Sequence, residues 1–194
     1  VRPSFSTKTH ETPSSKVIEW FKSRGITQAT LTDLNVSEGP EFMPQTGKTE
    51  NTIKFNYFIG NKLINVKYRD GAKNFKLYKG AEKVFYNINS IVNHDTCVIV
   101  EGEIDVLSLH EAGVPNVISV PNGATLNHNN LDYLDNCIDY FEDKEKIILA
   151  VDADEAGQML KQEFIRRLGA ENCYIVDVAA CKEANDHFLN DGQP

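Results

Sequence analysis

An apolar strand that runs directly into two carboxylates and then a helix constrains this chain more than any other feature. It is Ile147-Ile148-Leu149-Ala150-Val151-Asp152-Ala153-Asp154-Glu155-Ala156-Gly157. In an extended segment residues i and i+2 share a side, so Asp152 and Asp154 can point together from the strand's carboxyl end. That is the edge at which open parallel sheets bind ligands. Two carboxylates meeting there make a candidate divalent-metal site. Asp154 has a second reading, as the N-cap of a helix that starts near Glu155. The stretch Cys97-Val98-Ile99-Val100-Glu101-Gly102-Glu103-Ile104-Asp105 repeats the design: a strand, a terminal acid, a Gly that permits a tight turn, and a helix from about Ile104. Parallel strands bring their ends to one edge, so Glu101 is expected to converge with Asp152 and Asp154.

Beyond Asn93 the two patterns alternate: strand 97–101, helix 104–112, strand 116–120, helix about 128–141, strand 146–151, helix 155–168, strand 173–177, and a short helix around 184–189. Such alternation predicts an α/β domain over 96–194, a Rossmann-like parallel sheet flanked by helices. Residues 14–95 follow other rules. Ser14 or Ser15 can cap a helix over 16–24 that places Val17, Trp20 and Phe21 on one face and ends at Gly25. Thr27 can cap a second helix through about Leu34, and 36–50, rich in Gly, Pro and Thr, reads as a loop. From Thr52 the period becomes two, with turns at Gly60-Asn61 and Asp70-Gly71 before a strand at 75–78, which predicts a small α+β subdomain of antiparallel hairpins. Residues 1–13 read as a flexible leader.

A net charge of −8 argues against a nucleic-acid partner, but its distribution reverses the argument. The first 96 residues hold 14 Lys/Arg against 9 Asp/Glu, and the remainder hold 6 against 19. A basic half thus precedes an acidic half, as expected if one grips phosphates and the other holds metal ions. Alternation puts Lys67 and Arg69 on one strand face, in a segment interleaved with Tyr68, Phe75 and Tyr78, where cations could line a phosphate backbone or a nucleoside triphosphate. The other reading of such lysines is protection of an edge strand from aggregation.

Several classes are excluded. Cys97, Cys137, Cys173 and Cys181 form no C-x-x-C pair, so neither zinc nor a disulfide framework is expected. Apolar runs are of strand length and no signal peptide opens the chain, so a soluble, intracellular protein with no membrane partner is expected. There is no G-x-S-x-G, and Gly47-Lys48-Thr49 lacks the upstream Gly of a phosphate-binding loop. All-oxygen donors with no His in either motif suit Mg²⁺ or Mn²⁺ better than zinc.

The two acidic motifs, in order and about fifty residues apart, resemble the Toprim domain over roughly 96–189. More narrowly, the chain is similar to the RNA-polymerase core of phage-type and Twinkle-like primase-helicases. That resemblance implies that Glu101, Asp152 and Asp154 bind the catalytic metal, with Gly102 and Gly157 as supporting positions. Asp105 would orient the ligands or stabilise its own helix terminus. Cys181-Lys182-Glu183-Ala184-Asn185-Asp186 is similar to the family's K-D-A-N-E segment with the two acids exchanged, so Glu183 and Asp186 are further supporting candidates, Asp186 being also readable as a solvated helix residue. Lys67 to Phe75 resembles a K-x-R-D…K-N-F segment whose two Lys residues contact nucleotide and primer, which carries that role to Lys67 and Lys73, with Arg69 beside them.

The implied reaction is template-directed joining of ribonucleotides, in which two metals about 3.5–4 Å apart activate a 3′-hydroxyl and stabilise the leaving pyrophosphate. Implied partners are a single-stranded DNA template, ribonucleoside triphosphates, the RNA primer, and a helicase domain in a longer parent chain, with the template-reading zinc module also outside these residues. The expected location is the cytoplasm of a bacterial or phage-infected cell, or mitochondria for a Twinkle-like protein. Two alternatives remain. One is a DNA-gripping module attached to a helicase, which has no use for three convergent carboxylates that repel DNA. The other is a Toprim nuclease or topoisomerase, from which the basic hairpin points away.

Overall fold

The computed structural model describes residues 12–122 and 131–176. The leader up to residue 11, the helix expected at 184–189, and Glu183 and Asp186 lie outside the described residues. The chain divides into two units, Val1–Lys83 and Val84–Pro194.

The first unit opens with helices α1 (Ser15–Lys22) and α2 (Gln28–Asp33). Thr27 caps α2, its side chain accepting from the Thr30 N–H. Ser14 occupies the N-cap position of α1 without a side-chain cap, and its own N–H donates to Glu38 Oε2 at 2.5 Å. Four strands follow, β1 (Val36–Met43), β2 (Lys48–Ile59), β3 (Lys62–Arg69) and β4 (Phe75–Leu77), forming an antiparallel sheet in the order β1-β2-β3-β4.

The stretch 36–50, expected as a loop, is thus mostly strand. Gly39 and Pro40 concealed it, yet Pro is tolerated where an edge strand leaves an N–H position unpaired, and β1 is at the edge. The Gly60-Asn61 turn connects β2 to β3, with Gly60 at φ +55°. Pairing of Ile53 with Arg69, Phe55 with Lys67 and Tyr57 with Asn65 puts these residues on one face. Met43, Val66 and Tyr68 cluster on the other, with Leu63 packed against them. Both faces are covered, so β3 is buried from Ile64 to Tyr68.

The second unit contains β5 (Thr96–Val100), α3 (Glu103–Glu111), β6 (Val117–Ser119), α4 (Asp132–Asp135), β7 (Lys146–Leu149), α5 (Glu155–Leu168) and β8 (Cys173–Ile175). Its four strands are all parallel, in the order β6-β5-β7-β8. The mixed α/β class is therefore as expected, an antiparallel sheet followed by a parallel one. The segment before β5 packs in this unit: Tyr86 pairs with Ser119, and Phe85 meets Tyr133, Phe141 and Phe164 at ring distances of 5.0, 5.5 and 6.2 Å.

A helix was expected over about 128–141; in the described part of it α4 gives way to a single 3₁₀ turn, Ile138–Phe141. The apolar spacing of Leu131, Leu134, Cys137 and Phe141 is helical and all four are buried. Between them lie Asp135 and Asn136, whose short polar side chains compete with helical hydrogen bonding. Cys97, Cys137 and Cys173 are free thiols. Among the described residues no helix is long and apolar enough to cross a membrane.

Candidate active site

β5 and β7 are paired in register, Ile99 beside Leu149, and the Ala150 N–H donates to the Ile99 carbonyl at 2.9 Å. The next rung of that ladder would join the Asp152 N–H to the backbone of Glu101. Instead the Glu101 side chain takes it, Oε1 accepting from the Asp152 N–H at 3.0 Å. A carboxylate thus closes the ladder where the strands end, and the two acids predicted from separate motifs meet there.

Asp154 plays the part its alternative reading assigned. Its Oδ1 accepts the Gly157 N–H at 2.8 Å and caps α5. Its side chain lies at the exposed edge, whereas Glu101 and Asp152 are half-buried. Gly157 is required by close approach, because a Cβ there would stand 2.2 Å from the Asp152 carbonyl oxygen and 3.0 Å from Glu101 Oε1. Its missing side chain lets the Asp152 backbone and the Glu101 carboxylate lie against the start of α5.

At the start of α3, Gly102 is the N-cap and Glu103 and Asp105 occupy the first turn, both buried. Negative charge is favourable at that end of a helix. The Asp105 carboxylate folds back toward Gly102, its Oδ2 only 2.9 Å from where a Cβ of residue 102 would be.

Two neighbours of these acids were not legible in sequence. Tyr133, on α4, is buried, and burial together with the charge of Glu101 pushes its hydroxyl pKa up. Tyr86 is likewise raised, by burial first and then by the charge of Glu103. Neither lies in a motif; the buried acid Glu103, beside Glu101 and Asp105, offered the nearest signal.

Among the described residues no group of three His, Cys, Asp or Glu side chains is arranged to hold a metal ion. The donor chemistry at this edge is nonetheless the kind a hard divalent cation takes: Glu101, Asp152 and Asp154 offer carboxylate oxygens, with Glu101 and Asp152 joined by a hydrogen bond.

In the first unit, Lys67 and Arg69 share a face of β3, as alternation predicted. The topology removes one of their two readings, since β3 is an interior strand with β2 and β4 on either side. Protection of an edge does not apply there. Lys67 is 9% exposed, with its Nζ 5.3 Å from the Phe75 ring, while the Arg69 guanidinium lies 4.6 Å from Trp20 and 5.9 Å from Phe75.

Lys73 is exposed in the turn that follows, at φ +66°. Asp70, buried, holds that turn, its Oδ1 accepting the N–H groups of Ala72 at 2.9 Å and Asn74 at 2.8 Å and its Oδ2 the Asn74 amide at 2.8 Å. The Asp-Gly turn signal was visible; the buried carboxylate that builds it was not. Lys76, in the same basic segment, pairs with Glu41 at 2.6 Å.

Residues 98–188 match the family described as Toprim-like. The chain is 33% identical over 184 residues to a primase homolog protein of Arabidopsis thaliana, covering 89% of this chain and 52% of that protein. It is 32% identical over 184 residues to a Twinkle homolog protein, chloroplastic/mitochondrial, of the same plant, covering 89% of this chain and 25% of the relative. The chain therefore spans about half the length of one of these relatives and a quarter of the other. The crystal structure of the primase fragment of the bacteriophage T7 primase-helicase protein has a similar fold, with a TM-score of 0.73 at 24% identity, covering 97% of this chain and 78% of that one.

Proposed function

We propose that this chain, which carries a Toprim-like domain over residues 98–188, is the nucleotidyl-transferring core of a DNA primase that works beside a helicase in a longer protein. Its reaction is the joining of ribonucleotides into short primers on a single-stranded DNA template. The observation that carries this reading is the contact of Glu101 with the Asp152 N–H at the carboxyl ends of neighbouring parallel strands, over a glycine with no room for a side chain.

In this reading Glu101, Asp152 and Asp154 hold Mg²⁺ or Mn²⁺, Asp154 through the oxygen its cap does not use. When bound, the cation supplies Lewis-acid activation of the attacking 3′-hydroxyl and neutralises charge on the leaving pyrophosphate. Glu101 fixes the backbone of Asp152 and so aims that carboxylate at the strand edge. Gly102 and Asp105 set the start of α3 behind Glu101. Lys67, Arg69 and Lys73 bind phosphates of the incoming triphosphate or of the primer-template. No protein nucleophile is needed, because positioning and charge neutralisation carry most of the barrier reduction in phosphoryl transfer.

The test compares Asp152→Ala with Lys67→Met in the parent protein. Asp152→Ala is expected to abolish primer synthesis and to leave single-strand binding intact or tighter, since it removes a charge that repels phosphates. Lys67→Met, which keeps most of the buried stem, is expected to weaken nucleotide or primer-template binding. Equal losses of binding in the two variants would overturn the assignment of Asp152 to chemistry.

A further inference from the structure

Trp20, the single tryptophan of the chain, lies under two cations. The Arg24 guanidinium is 3.9 Å from its ring centroid and that of Arg69 is 4.6 Å away. The two guanidiniums are thus no further apart than those two distances laid end to end. Edge-on contact with the fully buried Phe21, at 4.8 Å, holds the indole against the core. Arg69 is steadied from a second side by Phe75, whose ring also carries the Lys67 ammonium. Trp20, Arg24 and Arg69 are each half-buried, so solvent and ligand can reach the cluster.

Two like charges brought this close repel, and the negative face of an aromatic ring offsets part of that repulsion. A further anion offsets more, and a guanidinium presents planar paired donors that match phosphate oxygens. From this geometry we infer that Trp20 is a positioning residue which sets Arg24 and Arg69 as a paired grip for a phosphate group. The inference rests on the nucleic-acid-binding role given to this unit under the proposed function. Arg24 thereby becomes a binding residue, and the indole acts through the guanidiniums rather than by touching the ligand.

The single tryptophan supplies its own readout. The full chain is titrated with a labelled single-stranded oligonucleotide and, separately, with ATP, following oligonucleotide anisotropy and tryptophan emission together. Emission is expected to change in step with binding, and Arg69→Ala to remove that change. Trp20→Leu is expected to weaken binding between about 2-fold and about 30-fold. Trp20→Phe, which keeps a ring, recovers most of the affinity at an unaltered unfolding midpoint.

Should Trp20→Leu fail to fold, Arg24→Gln takes its place, with the same weakening expected in a folded chain. An emission response to the oligonucleotide alone assigns the grip to the strand backbone, and a response to ATP alone assigns it to the incoming nucleotide. Emission indifferent to a bound ligand, or Trp20→Leu binding as tightly as the parent, overturns the inference. If in that case Lys67→Met and Lys73→Ala still weaken binding, the proposed function stands without it. If the parent chain binds neither ligand, both fall.

Discussion

Gly157 and Asp70 show how much of each site rests on one side chain, present or absent. At Gly157 the nearest obstacle is backbone, the Asp152 carbonyl at 2.2 Å, which cannot swing aside as a flexible side chain could. Gly157→Ala is therefore expected to cost about 1–3 kcal/mol by overpacking and to push α5 away from Glu101. Thermal melts should show the loss, and primer synthesis should fall more steeply than single-strand binding.

Asp70 makes a prediction in pH. The hydrogen bond from the Asn74 side chain, opposed by burial and reinforced by the N–H groups of Asn74 and Ala72, holds its carboxyl below the ordinary range. A depressed carboxyl contributes stability that is fully present above its unfolded pKa and is lost as pH falls through the folded value. The unfolding midpoint should thus drop on acidification below about pH 4. Asp70→Asn should flatten that part of the profile, and an unchanged profile would mean that the carboxylate does not hold the turn.

At the level of elements, α5 rests on its cap for stability, and the proposed function gives the same Asp154 a chemical role. Asp154→Ala removes the acceptor for the Gly157 N–H and is expected to cost about 0.5–2 kcal/mol. Asp154→Asn keeps a capping oxygen and loses only the charge, so its midpoint should stay near that of the parent. If Asp154 also holds the metal, the Asn variant melts normally and makes no primer; full activity in that variant would confine Asp154 to the cap.

The bounds of α5 were readable because acid cap, amphipathic period and terminal Gly169 all agree. Those of β1 were not, because Gly39 and Pro40 signal a turn in isolation and become acceptable only when the strand is known to lie at an edge. The segment after Leu131 failed in the opposite sense. Its apolar residues kept a helical spacing while its Asp and Asn residues broke the helix that the spacing predicted.

For the whole molecule, the proposed function makes the division of charge set how binding answers to salt. If Lys67, Arg69 and Lys73 each neutralise one phosphate, log K for single-stranded DNA should fall against log salt with a slope of about −2, at roughly 0.7 per contact. Lys73→Ala should shrink that slope by about 0.7 and leave sequence preference alone, as expected for a phosphate contact. Asp152→Ala, in the acidic half, should leave the slope unchanged. Binding indifferent to salt would remove the basic half from the proposed interface.

The sequence by itself determined that acids stand at the ends of two parallel strands and that Lys67 and Arg69 share a face. Both follow from local periodicity: a period of two fixes sides along a strand, and strand-helix alternation fixes the edge to which parallel strands point. Only the tertiary structure decided what those side chains touch. Glu101 reaches the Asp152 N–H across a 51-residue separation in the chain, and no pattern within either motif encodes that hydrogen bond. The charge of Glu101 acts on Tyr133 for the same reason. The lysines of β3 could equally have guarded an edge until the order β1-β2-β3-β4 put their strand inside the sheet. Strand order is a long-range choice made by packing, whereas the side on which a residue points is settled by its immediate neighbours.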